Sequence, residues 1–340
     1  MAKIRTAILG YGRSGSTLHA DPIEANEDME VVAVCDVDPD RRKQATERFG
    51  CPSYDDYSMM LKREELDFVV IVTRSDQHCQ MTCDCLSGGV HVLVTKPWAT
   101  SAHEGEKMIA AEAKSGRMLF PWLPARWGVD LVRLKELITD GAIGKPFIIR
   151  RAVCSFATRK DWQTERRYGG GYLLNWGAHI IDPPVLLMDG KVESVYGRLK
   201  QTINPGDGED LFMALMNLED GTIVQAEYSV AIESLPNWFI QGDGGTIVVR
   251  GQDIVIHKAT LPEPGDPTQV TTMKATDQTK IEERVEGAVY GDQHQIYREV
   301  VQALRGESEF PVKPADALQL SRVFDAIRLS QDENRVVHLQ

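Results

Sequence analysis

The chain has 340 residues, a formal net charge of −12 and an apolar fraction of 42%. That length allows two domains with sizeable cores, and an acidic chain without a basic stripe argues against a nucleic-acid partner. With no leader, membrane-length apolar run or basic amphipathic helix in the sequence, the expectation is a cytoplasmic protein with a small-molecule ligand and no membrane partner.

Residues 4–9 form an apolar run that leads into Gly10-Tyr11-Gly12-Arg13-Ser14-Gly15. A second apolar run, residues 31–35, ends in Asp36. Strand, glycine turn, helix, strand and terminal acid in this order read as a dinucleotide-binding unit. Gly10 turns the chain sharply, Gly12 admits a pyrophosphate and Gly15 lets the helix pack closely; the helix N-terminus at Arg13 and Ser14 faces the phosphates. Asp36 can accept both ribose hydroxyls of NAD and would repel the extra phosphate of NADP. Its other reading is a cap for the helix at residues 41–48, a job that suits Asp38 before Pro39. Arg41 and Arg42 keep NADP open, and NAD is favoured.

Alternation then continues: a strand at 66–72, a helix at 77–86, a strand at 90–94, a helix at 103–113 and a strand at 118–120. This pattern predicts a parallel sheet with helices on both faces. In the first helix His19 reads as a packing residue. Cys79, Cys83 and Cys85 lie close together but form no Cys-x-x-Cys pair, so no metal site is expected, and the six scattered cysteines suit a reducing compartment. Pro121 and Pro124 place a domain boundary near Trp122, giving residues 1–121 and 122–340. In the second unit strands are expected at 146–156, 192–199, 211–218, 222–230 and 246–249, and helices at 292–304 and 314–329. Residues 261–267, rich in proline, read as a mobile loop. The fold class is therefore an α/β Rossmann domain followed by an α+β domain with a large, open, mainly antiparallel sheet.

Lys96-Pro97 stands at the C-terminal end of a parallel strand, the edge where ligands bind in this architecture. Residues 169–182 read Gly-Gly-Gly-Tyr-Leu-Leu-Asn-Trp-Gly-Ala-His-Ile-Ile-Asp. Together with the Gly10 turn, these segments resemble the family of glucose-fructose oxidoreductase, inositol dehydrogenase and rhizopine-catabolism proteins over essentially the whole chain. The family pattern is Glu-Lys-Pro after the strand and Gly-Gly-Gly-x-Leu-x-Asp-x-Gly-x-His in the second domain. Lys96, Pro97, Gly169, Gly170, Gly171, Leu173, Gly177 and His179 match it, whereas Thr95 replaces the glutamate and Asn175 the aspartate.

The resemblance implies hydride transfer between a sugar, glycoside or cyclitol carbon and NAD(P), with Lys96 and His179 handling the hydroxyl proton. A hydroxyl carbon releases hydride only if its proton leaves too, so a neutral imidazole suits the base and an ammonium steadies the developing alkoxide. Asn175 and His179 are four apart and share a helix face. Asp182, three residues beyond His179, is a candidate source of the missing charge, and Pro183-Pro184 should break the helix near it. The glycines either pass close to the nicotinamide or form a turn. Arg126 resembles the family's arginine beyond the last strand and reads either as a substrate ligand or as an interdomain ion pair. Trp122, Trp162, Tyr168 and Trp176 offer aromatic faces to a sugar ring. The segment 73–78 resembles the family's Thr-Pro-Asn-x-x-His loop, which places Thr73 and His78 at the cofactor groove, with Ser75 or Asp76 as alternative helix caps. Two further readings stay open: glycoside cleavage by transient oxidation on tightly bound NAD, and a sugar and NAD sensor whose chemistry is lost with the aspartate. The open sheet resembles the family's assembly surface and implies a homodimer or homotetramer.

Overall fold

The computed structural model describes residues 2–268, 270 and 274–339. The first unit runs β1 (Ile4–Leu9), a π-turn (Gly15–His19) continued by α1 (Ala20–Glu24), β2 (Met29–Cys35), α2 (Pro39–Phe49), β3 (Ser53–Tyr54), α3 (Tyr57–Arg63), β4 (Phe68–Ile71), α4 (His78–Ser87), β5 (His91–Val94), α5 (Ala102–Ser115) and β6 (Leu119–Pro121). These six strands pair in parallel in the order β3-β2-β1-β4-β5-β6. The order reverses between β1 and β4, so the chain leaves the sheet in opposite directions there and opens a crevice above the strand ends. β4 is wholly buried, as expected for a strand covered on both faces. Asp38 caps α2 by accepting a hydrogen bond from the amide of Asp40, with Pro39 at the first helical position, which leaves Asp36 free of that duty.

The second unit continues with α6 (Val129–Thr139), β7 (Pro146–Cys154), α7 (Tyr172–Ile180), α8 (Asp182–Leu187), β8 (Val192–Lys200), β9 (Leu211–Leu218), β10 (Ile223–Ser229), β11 (Trp238–Gly242), β12 (Gly245–Arg250), β13 (Asp253–Thr260), β14 (Thr276–Arg284), α9 (Gln293–Leu304), α10 (Pro314–Glu333) and β15 (Val337–His338). Nine strands form one sheet, β14-β13-β12-β11-β7-β10-β9-β8-β15, antiparallel except for β7 against β10. On β9, Phe212, Ala214, Met216 and Leu218 are buried while Met213 and Leu215 are exposed. This period-two pattern marks a sheet with one face on the core and one open. The helical face carries α7, α8 and α10. As the paired prolines require, α7 ends at Ile180 and a separate helix begins at Asp182. Residues 261–267 carry no helix or strand.

The chain's end returns to the first unit. α10 packs against both β8 and α5, the Trp98 indole N–H donates to Ser321 Oγ at 2.8 Å, and the Ala102 amide donates to Asp325 at 2.8 Å. Sequence reading did not foresee α6 or strands β11, β13 and β14; every residue of β14 but one is exposed, so no apolar alternation signals it.

Candidate active site

A cleft of about 820 Å³ lies between the units. At one end it is lined by Gly10, Gly12, Arg13, Ser14, Gly15 and Asp36. Gly10 has φ +93°, and a Cβ there would sit 2.6 Å from the Val72 carbonyl oxygen; at Gly15 it would sit 2.0 Å from the Gly10 oxygen. Both positions therefore exclude side chains. Gly12 is different, because its Cβ would meet nothing nearer than the Arg41 side chain at 3.5 Å. That space beside the start of a helical segment suits a pyrophosphate, and the residues present fit a bound dinucleotide. Asp36 accepts hydrogen bonds from the amides of Tyr11 (2.7 Å) and Asp38 (2.9 Å) and stands 3.6 Å from Arg41. Arg42 is committed elsewhere, donating to the carbonyls of Asp36 and Val37.

Thr73 lines the cleft, its hydroxyl 3.4 Å from Met81 Sδ. His78 does not join it. It is buried, with Nδ1 2.7 Å from the Pro97 carbonyl and Nε2 3.1 Å from the Thr73 carbonyl, so it ties two loops together behind the groove rather than lining it. His19 also packs as expected, Nδ1 lying 2.8 Å from the Tyr297 hydroxyl and the ring against Trp122.

At the other end Lys96 and Asn175 meet across 79 positions of sequence. Lys96 Nζ donates to the Asn175 backbone oxygen and to its Oδ1, both at 2.8 Å. Burial, and then the charges of Arg159 and Arg13, bring the Lys96 ammonium down to about 8. His179 lies one helical turn on. Burial, reinforced by the charges of Lys96 and Arg151, holds its ring well below the ordinary histidine value, so it is a neutral imidazole. Its Nδ1 is buried without a hydrogen-bond partner. The ring is positioned by aromatic contacts instead, with Tyr290 at 4.9 Å and Trp176 at 5.9 Å between centroids. Trp176 also packs against Tyr228 at 5.2 Å.

Several sequence expectations are corrected here. Asp182 gives His179 no support, because both its oxygens accept from Arg126 at 2.9 and 2.7 Å. Arg126 takes the ion-pair alternative and does not line the cleft: a third bond of 2.8 Å runs to Asp316, and the guanidinium becomes a strut joining the turn after β6 to α8 and α10. Trp162 lines the cleft, whereas Tyr168 is not among its lining residues and its ring lies under Arg74 at 4.1 Å and Arg167 at 4.7 Å. Gly169 and Gly170 line the cleft, whereas Gly171, at φ +105°, is packed against Glu209, where a Cβ would meet a carboxylate oxygen at 2.3 Å. Glu209 accepts from the Leu173 amide and so caps α7. Neither Glu209 nor Arg151, Arg159 or Tyr290 was singled out from sequence, since each reaches the site from a segment without a motif. Cys79 and Cys83 share a thiol hydrogen bond and approach the Glu104 and Lys107 backbone oxygens, and among the described residues no cluster of potential metal ligands occurs. No helix among them is long and apolar enough to cross a membrane.

Comparison with known proteins places this geometry. A family model described as "Oxidoreductase family, NAD-binding Rossmann fold" matches residues 4–122, and one described as "GFO/IDH/MocA C-terminal domain" matches residues 131–248. The scyllo-inositol 2-dehydrogenase (NADP(+)) of Bacillus subtilis is 23% identical, with 99% of this chain and 96% of that protein aligned. The myo-inositol 2-dehydrogenase of Thermotoga maritima is 27% identical over 57% of each chain. An NAD-binding protein from Listeria innocua superposes with a TM-score of 0.86 at 25% identity, covering all of both chains.

Proposed function

The chain belongs to the GFO/IDH/MocA family of oxidoreductases with an NAD-binding Rossmann fold, and on that premise we propose that it oxidises a secondary hydroxyl of a sugar, glycoside or cyclitol. The observation that carries this reading is the contact of Lys96 with Asn175, both lining the cleft, with a neutral His179 one helical turn along α7 and within reach of the lysine charge. An ammonium has three N–H donors, and Asn175 takes two, so one remains for a substrate oxygen. His179, being neutral, can accept the hydroxyl proton. The aromatic rings of Trp176, Tyr228 and Trp162 suit the C–H faces of a sugar ring.

Gly12, Arg13 and Ser14 would hold the cofactor pyrophosphate and Asp36 the ribose, while Thr73 and Lys96 border the groove further along. When bound, the nicotinamide supplies the hydride acceptor. Asp36 favours NAD over NADP, because its two amide bonds leave lone pairs for ribose hydroxyls and its charge repels a phosphate. Residues 1–121 form the cofactor unit and residues 122–340 the substrate and assembly unit in this reading, in a cytoplasmic protein. The open sheet face with exposed Met213 and Leu215 supports a homo-oligomer.

Asn175 favours one second reading, a binding protein without turnover. Incubation with NAD or NADP and a panel of sugars, glycosides and cyclitols, followed by NADH absorbance, separates the two. Absorbance should rise with NAD and one ligand class, and His179→Ala should lower kcat/KM by about 10²–10⁴-fold, the usual worth of a general base. No absorbance with any ligand in the wild type, but a signal in Asn175→Asp, would support the binding protein.

A further inference from the structure

His19 packs in the core of the first unit and yet borders the cleft, with Leu18 and Trp122 beside it on the wall. It ends the π-turn Gly15–His19, in which the Ala20 amide reaches back five residues to the Gly15 oxygen. π-turns recur at functional sites. The His19 ring is 1% exposed and lies 4.7 Å from the Trp122 ring between centroids. Its Nδ1 is 2.8 Å from the Tyr297 hydroxyl, and burial brings the ring down to about 3, so it stays neutral.

A neutral imidazole has one N–H, and the bond made by one nitrogen decides which of the two carries it. Tyr297 is wholly buried, and among the described residues its hydroxyl has no partner besides Nδ1. With the proton on Nδ1, the hydroxyl would accept from it and its own O–H would have no acceptor inside the core, a costly arrangement. The hydroxyl therefore donates to Nδ1, and the proton sits on Nε2. Among the described residues Nε2 has no hydrogen-bond partner. A buried donor on a cleft wall calls for an acceptor.

The place of His19 in the fold indicates which one. Gly15, four residues earlier, belongs to the turn that suits a pyrophosphate. Trp122, whose amide donates to the Val94 carbonyl at 3.0 Å, stands beside the strand end that carries Lys96. His19 thus lies between the phosphate turn and Lys96, where the nicotinamide half of a dinucleotide runs. A phosphate there is answered by Arg13 and the helix amides, whereas a neutral N–H suits a neutral carbonyl. We infer that His19 is a further cofactor ligand, its Nε2 donating to the carboxamide oxygen of the bound nicotinamide. This rests on the cofactor groove and not on hydride transfer.

Calorimetric titration with NADH, its thionicotinamide analogue and ADP-ribose, which lacks the nicotinamide, tests the inference. The paired variant His19→Phe with Tyr297→Phe removes both buried polar groups together. It should bind NADH about three- to tenfold more weakly, the scale of one hydrogen bond, and ADP-ribose as well as the wild type does. Sulfur is a poor acceptor, so the wild type should bind the thionicotinamide analogue more weakly than NADH, and the variant should lose that difference. Nitrogen-15 NMR of the wild type should find the His19 proton on Nε2, with a signal that shifts on adding NADH but not ADP-ribose, a result that stands even if the variant fails to fold. Unchanged NADH affinity in the folded variant, an equal loss for ADP-ribose, equal wild-type binding of NADH and the thionicotinamide analogue, or a proton on Nδ1 would each overturn the inference. NADH and ADP-ribose both failing to bind the wild type would overturn the cofactor groove and the inference together. A protein that meets these tests but oxidises no sugar would sink the dehydrogenase reading alone.

Discussion

Asp36, which lines the interdomain cleft, and Arg151, in the centre of the nine-stranded sheet, are both buried charges, one 6% and the other 3% exposed, and they are held in opposite ways. Asp36 is met by two backbone amides and an arginine. Arg151 is met by a ring and one carbonyl, with Nε unanswered. The same contrast runs through the two ends of the cleft. The cofactor end is preformed by its own backbone, down to glycines that admit no Cβ. The Lys96 end holds a lysine that rests on an amide, with an unpaired His179 Nδ1 one helical turn beyond Asn175. Buried polar groups without partners are rare, and His179 Nδ1 is one of them among the described residues.

Three substitutions separate the two ends. The largest effect is expected at Arg126→Met, which strands the buried Asp182 carboxylate and removes the strut under α8. It should cost about 3–5 kcal/mol in a denaturant titration, and NADH affinity of the protein that remains folded should change little. A near-neutral result would show that the strut carries no charge burden. Next is Gly15→Ala, where the new Cβ would lie 2.0 Å from the Gly10 oxygen. Overpacking of this kind costs about 1–3 kcal/mol, and NADH binding should weaken sharply as the turn shifts. Unchanged NADH affinity, measured by fluorescence, would remove the glycine turn from the cofactor site.

The smallest effect belongs to Asn175→Asp. Lys96 sits at about 8, so a step that needs its ammonium weakens as pH rises through that value. A carboxylate in place of the amide favours the charged form and raises the lysine, which moves the alkaline limb of the kcat/KM profile upward by about one pH unit or more. A limb that stays in place would show that Lys96 does not set it.

What could be read from the sequence follows the same division. The glycine turn, Asp36 and the α2 cap are local patterns in which neighbours in sequence are neighbours in space, and they were legible. Lys96, Asn175 and His179 were legible only because motifs flank them. Arg126 with Asp182, separated by 56 positions, and Arg151 with Trp238 depend on pairing between distant segments, which no local pattern announces. His78 shows the converse: it lies in a recognisable loop, but two carbonyls claim its ring behind the groove. Strand β14 went unread because its polar, exposed residues carry no periodic apolar signal.

The central claim is that a sugar carbon gives up hydride at the Lys96, Asn175 and His179 end of the cleft. The most direct measurement uses sugars deuterated at each hydroxyl-bearing carbon in turn, with mass spectrometry of the cofactor after incubation with NAD. The account predicts deuterium on the nicotinamide from one position and its loss in His179→Ala. Glycoside cleaved with no label in released NADH, or label transferred equally well by His179→Ala, would contradict it.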